Sequence, residues 1–248
     1  MNFTAEQLEE NYKKFLTYID KYITGERQDK LKHLYLDHAE RIMLMPAASV
    51  DHHHNAFPGG YVDHVIRVMD CALMIKNLWA SSGAEINYTE EELVFAALNH
   101  DLGKFGTEEA EQYLPNDSEW HRKNQGKIYK FNDVNPFMIV PDRSLFILQQ
   151  RGIVLSLNEY LGIKLHDGLY EEANKAYYLS HFVAAKLRTN LPIVLHHADH
   201  MASRIEFEMW NKTQTPTTAT PKRKPTLPTQ MTETQKDDLM GVFNNLFK

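Results

Sequence analysis

Six consecutive apolar residues, Leu93 to Leu98, run directly into Asn99-His100-Asp101-Leu102-Gly103-Lys104. Apolar residues at successive positions wrap most of a helix's circumference, so such a helix is buried on nearly all sides. Thr89 with Glu92 makes a capping box, which predicts a helix over about 90–101 with His100 and Asp101 at its C-terminal end. These two side chains therefore emerge from the core, where ionisable groups need a partner or a metal. One imidazole nitrogen and one carboxylate oxygen suit zinc, iron or manganese, but two residues do not hold an ion alone. Gly103 breaks the helix and frees Lys104 to point back into the same site.

Two other helices supply candidates for the rest of the shell. From Tyr61 to about Ala80 the stripe is His64, Val68, Cys71, Ile75 and Leu78, which puts His64 on the buried face. A lone histidine in that position is ordinarily a hydrogen-bonded core residue. Facing another histidine and two carboxylates, it reads as a ligand. A long helix from about Leu191 to Trp210, with Pro192 in its first turn, carries Asp199 on a face with Leu195, Ala202 and Met209, and Ile205 at its edge. His197 and His200 fall on neighbouring faces. His64, His100, Asp101 and Asp199 together make a shell of net charge about −2 with room for water, as hydrolytic metal chemistry requires.

The other segments frame this site. Thr4 with Gln7 opens a helix over 4–24 that Gly25 ends, and a second helix covers about 27–45 before Pro46. Residues 46–60 form a loop containing His52, His53, His54 and the Gly59-Gly60 pair. Residues 105–141 are less regular and hold a basic, aromatic-flanked patch of Trp120, His121, Arg122, Lys123 and Lys127, read equally as a solvated loop or as a contact for phosphate or base. Asp142 caps a helix over 143–151, and Ser156 caps one over 157–165 that ends at His166-Asp167-Gly168, a second His-Asp pair. Residues 171–187 read as a further helix.

The chain divides into a body over 1–210, a Thr/Pro/Lys-rich linker over 211–230, and a short amphipathic peptide over 231–248. The net charge of −6 splits into −9 on the body and +3 on the tail, since six of the 27 basic residues and three of the 33 acids lie from 211 onward. An acidic body that handles phosphates needs metal ions or a local basic pocket. The single cysteine, Cys71, excludes an internal disulfide and suits a reducing compartment. With no apolar run near the ~20 residues of a membrane span and no signal-peptide pattern at the N-terminus, the expected location is the cytoplasm, with no membrane partner.

The order His64, then His100-Asp101 within NHDLGK, then Asp199 within LHHADHMA resembles the signature of the HD-domain superfamily of metal-dependent phosphohydrolases. HNAFPGGYVDHVIRV (54–68) resembles the first-histidine motif of its nuclease-like branch, and LGIKLHDGLY (161–170) sits where that branch carries a His-His-Gly or His-Met-Gly turn. The likeness is strongest to HD-domain hydrolases encoded by tailed bacteriophages and covers roughly 30–210, which would place the protein in the host cytoplasm.

That resemblance implies an all-α HD-domain helical bundle with a flexible C-terminal tail. It implies one or two divalent ions (Mn, Fe, Mg, Co or Zn) on His64, His100, Asp101 and Asp199, with His166 and His121 as candidates for a second ion. Asp167 departs from the pattern, standing where many relatives have a histidine. The implied reaction is hydrolysis of a phosphate ester or anhydride in a nucleotide or short oligonucleotide. Asp101 would orient the water, Lys104 would neutralise phosphoryl charge, and His54, His166 and Arg143 are candidates for binding phosphate or leaving group.

Two alternatives follow from the same residues. An HD-fold diiron oxygenase would use His64, His100, Asp101, His121, His166 and Asp199 as iron ligands. A non-catalytic adaptor would act through DDLMGVFNNLFK, which resembles the peptides that dock on phage sliding clamps, with Phe243, Leu246 and Phe247 as anchors.

Overall fold

Thr4 and Gln7 form the expected capping box and open α1 (Ala5–Tyr22), whose buried residues Tyr12, Phe15 and Ile19 recur at helical spacing. The computed structural model describes residues 3–53 and 55–214. His54 and the tail, including Phe243, Leu246 and Phe247, therefore lie outside the described residues. Gly25, at φ +70°, begins the next helix instead of ending the first. The single helix expected over 27–45 is two, α2 (Glu26–Asp37) and α3 (Ala39–Leu44), divided at His38. Side-chain contacts override the helical pattern there: His38 Nε2 lies 2.7 Å from Glu108 Oε2, and the ring packs edge-on against Phe105.

After the loop, α4 (Gly60–Ser81) buries His64, Val68 and Cys71 as expected, although Leu78 is exposed. The Thr89–Glu92 capping box opens α5 (Glu90–Asn99), in which every residue from Leu93 to Asn99 is buried. At ten residues α5 is too short to be stable alone. Leu93, Phe95 and Leu98, each fully buried, contribute about 1.5–3 kcal/mol apiece and hold it in place. It packs against α4 and α1, and against α8 (Leu157–Leu165), which the Ser156–Glu159 capping box opens.

Residues 105–141 contain a two-stranded antiparallel ribbon that hydrophobic periodicity does not reveal. β1 (Tyr113–Pro115) pairs with β2 (Tyr129–Phe131), with α6 (Glu119–Gln125) between them, so the fold is mostly helical with one small ribbon. Three-residue strands are too short for alternation to register. α7 spans Val140–Gln150 with Pro141 in its first turn, and Asp142 is not its cap but an ion-pair partner of Lys164, at 2.5 Å. Residues 171–187 hold only short turns and one helical turn, α9 (Lys175–Tyr178). The last helix, α10 (Leu191–Gln214), runs four residues past the expected boundary at 210 and packs along α4 and α8. Among the described residues no helix is long and apolar enough to cross a membrane.

The segment after α5 is fixed by close packing. Leu102–Phe105 forms one 3-10 turn, the Gly103 amide donates to Ser144 Oγ at 2.7 Å, and that hydroxyl reaches the carbonyls of His100 and Val140. A Cβ on Gly103 would lie 2.2 Å from the Val140 carbonyl oxygen, so the turn meets α7 only through a glycine. Gly103→Ala is expected to cost about 1–3 kcal/mol, as overpacked sites do, read as a lowered urea midpoint. An unchanged midpoint would show that α7 yields freely.

Candidate metal centre

Each of the three inward-facing histidines is held by its Nδ1. His100, the residue that caps α5, donates from Nδ1 to the Ala97 carbonyl at 2.7 Å. His166, the residue that caps α8, donates in the same way to the Ile163 carbonyl at 2.9 Å. The two His-Asp pairs are thus one local device used twice, and the rings meet edge to face at 4.9 Å. His64 instead donates from Nδ1 to Glu206, 3.1 Å from Oε2, and both residues are fully buried. In each case the Nδ1 partner behind the ring directs Nε2 to the centre, the arrangement by which outer partners orient metal-ligating imidazoles.

The Nε2 atoms converge on two carboxylates. His64 Nε2 lies 3.2 Å from Asp199 Oδ1 and 3.6 Å from Asp101 Oδ2, and His100 Nε2 lies 3.4 Å from that same Asp101 oxygen and 3.9 Å from Asp199 Oδ1. His166 Nε2 lies 3.9 Å from Asp101 Oδ1. Among the described residues two groups have ligand atoms within 4.8 Å of one another: His64, His100 and Asp101, and His100, His166 and Asp199. Donors about 2.1 Å from a shared ion sit roughly 3.0–3.4 Å apart, so these spacings close onto an ion with small movements.

The donor set fits a divalent cation on a second count. His100 Nε2 is buried and makes no hydrogen bond among the described residues. A buried nitrogen left so costs about 1–3 kcal/mol, which an ion would relieve. Burial disfavours charge on Asp101, yet Lys104, His100 and His64 outweigh it and hold the carboxyl well below its usual range. Asp199 is likewise held down, against burial, by His64, His100 and His166. Lys104 pairs with Asp101 Oδ2 at 2.5 Å, and against its burial that carboxylate raises its pKa, so it stays charged.

Burial alone would lower the His64 pKa, but Glu206 and Asp199 lift it from 6.5 to about 10. The raised value belongs to the folded protein, so the stabilisation is complete below pH 6.5 and fades as pH rises through about 10. Chelator-treated protein should therefore lose thermal stability on the alkaline side. A metal must displace the same proton, so apparent metal affinity should climb with pH by up to about tenfold per unit. A flat titration of affinity against pH would contradict this.

Asp101, Lys104, His166 and Asp199 line one end of a cavity of about 550 Å³, within the size range of small-molecule sites. Arg143 lines it too, but its guanidinium is committed to Gln112 Oε1 at 2.6 Å and the Pro136 carbonyl at 2.7 Å. It braces the wall. His121 joins neither ligand group, and its ring neighbour is Trp120, 5.2 Å away. Asp167 stays half-exposed at the rim, 3.6 Å from His166 Nε2.

Sequence reasoning missed Glu206 and His196. Glu206 follows Asp199 by seven residues, two helical turns on the same face, and that spacing was its only signal. His196 Nδ1 donates to the His166 carbonyl at 2.8 Å, and its ring lies where a Cβ on Gly168 would stand. Gly168 also has φ +57°, so the turn after His166 needs glycine on both counts. No family model, curated protein or solved structure matches the chain.

Proposed function

We propose that the protein is a metal-dependent phosphohydrolase of the HD-domain type, acting on a nucleotide or short oligonucleotide. One observation carries the reading: His64, His100, Asp101, His166 and Asp199 bring ligand atoms together at one end of a cavity, with every imidazole oriented from behind. A divalent ion there would supply Lewis acidity at a phosphoryl oxygen and lower the pKa of water toward ~7.

The chain's own residues do the rest. Glu206 and the two carbonyls fix the imidazoles, while buried Asp101 and partly buried Asp199 hold the charge that a cation requires. Lys104, charged and lining the cavity, neutralises negative charge growing on the transferred phosphoryl group. In hydrolysis a water oxygen bonds to phosphorus, the ester P–O bond breaks, and the leaving oxygen takes a proton. The proton lost by the attacking water balances that step, and His166 Nε2, a member of a ligand group, would stay committed to the ion.

The test is a phosphatase screen across nucleotides with Mn, Mg, Fe and Co, using Asp101→Asn as control. Metal-dependent phosphate release that the substitution abolishes supports the reading. Release that survives it overturns the site. The oxygenase alternative calls on His121, which the ligand groups do not include, and two irons per chain with strict oxygen dependence would establish it in place of the hydrolase.

A further inference from the structure

The lining of the cavity that holds the metal ligands includes exposed aromatic side chains. Phe137 is 93% exposed and Phe131 63%, yet both line the cavity that contains Asp101, His166 and Asp199. Large apolar side chains left in water forgo the stabilisation that burial brings. These two are also held out firmly. Before Phe137, the Asn135 side chain donates to the Glu111 carbonyl at 2.9 Å, and the Pro136 carbonyl accepts from Arg143 at 2.7 Å. Next to Phe131, the Asn132 amide donates to the Gln112 carbonyl at 2.9 Å. Tyr113, its cross-strand partner, places its ring 5.6 Å from the Phe131 ring, and both line the cavity.

The charges say what this surface does not bind. Among the described residues the lining carboxylates are Asp101, Asp133, Asp167, Glu171 and Asp199, and the lining lysine and arginine are Lys104 and Arg143. Lys104 is paired with Asp101, and Arg143 is committed to the wall. A second phosphate in the cavity would meet Asp133 and Glu171 with no further lining lysine or arginine among the described residues, whereas a neutral planar group would find aromatic faces.

We propose that Phe137 and Phe131 form a nucleobase-stacking rim, which makes the ligand of this cavity a nucleotide with a single phosphate and not a base-free sugar phosphate or a polyphosphate. The inference rests on the phosphohydrolase reading, which places the phosphate at the metal ligands. Base–aromatic stacking tolerates any base, since every base has a π face.

The experiment compares dissociation constants of the Mn²⁺-loaded full chain for adenosine 5′-monophosphate, ribose 5-phosphate and adenosine 5′-triphosphate. The wild type should bind the monophosphate nucleotide tightest. Phe137→Ala and Phe131→Ala should each weaken that binding by about 5- to 150-fold and leave ribose 5-phosphate unchanged. Phe137→Trp should restore binding where Phe137→Leu does not, which separates stacking from mere apolar contact. Because Phe137 is exposed, its loss leaves the fold intact. If ribose 5-phosphate binds as tightly as the nucleotide, or the alanine variants weaken both alike, the stacking rim is overturned while the phosphate site stands. If the triphosphate binds tightest, the single-phosphate claim falls. If none of the three binds, the phosphohydrolase reading fails, and the rim with it.

Discussion

Asp101→Asn should lower metal affinity by more than about 100-fold, since even a partner behind a ligand is worth 10–100-fold. Asp101 stands between His64, His100 and His166 and offers each of its oxygens to at least one of them. The amide keeps the shape but loses the charge that holds a cation. Hydrolysis of any phosphate ester found in the screen should fall at least in parallel. Asp101→Ala should differ in kind, because it removes a charged hydrogen-bond partner of the buried Lys104 ammonium. Breaking one side of a buried ion pair costs about 3–5 kcal/mol, so the alanine variant should unfold at markedly lower temperature, even without metal. The comparison is made by equilibrium metal titration and by thermal unfolding of chelated protein. Tight metal binding by Asp101→Asn would remove this residue from the centre.

Glu206→Gln should lower metal affinity by about 10–100-fold although Glu206 is not itself a proposed ligand. The carboxylate accepts from His64 Nδ1 and from Arg67 Nε, at 3.1 Å each, so it both aims the ring and makes it more basic. The amide keeps the volume and weakens both effects. A second signature separates this role from simple packing. Glu206 is the largest influence raising the His64 pKa, so its loss should shift the pH dependence of metal binding toward the ordinary imidazole value of 6.5. Titrations over about pH 6 to 9 read both quantities. Weaker binding with an unmoved pH dependence would leave Glu206 a packing residue only.

Much of the centre was legible because burial of charge is itself a signal. His100-Asp101 closes an apolar helix, His64 shares a stripe with Val68 and Cys71, and Asp199 shares one with Leu195 and Ala202. Each polar residue contradicts its apolar face, and the contradiction identified it without knowledge of the fold. His166 was visible as an echo of the first pair at a capped helix end. His121 was chosen on sequence distance alone, and distance along the chain does not place a side chain in space. Arg143 was a candidate for phosphate with a structural role favoured, and the partners that hold it, Gln112 and Pro136, lie 31 and 7 residues away and were not visible in local pattern.

Local rules in the sequence determined the helices opened by capping boxes, the buried α5 and the four residues that most resist burial. Those features depend on propensity, capping and periodicity within a few residues, which a linear reading resolves. Tertiary structure alone decided the division at His38, the ribbon over 113–131, the dissolution of the helix expected at 171–187, and Glu206 behind His64. Each of these turns on a contact between residues distant in sequence, where a long-range hydrogen bond or ion pair outweighs a weak local preference. The motif from Asn99 to Lys104 supplied a histidine and an aspartate; only the packing of α4, α8 and α10 around α5 brought their partners within ligand distance.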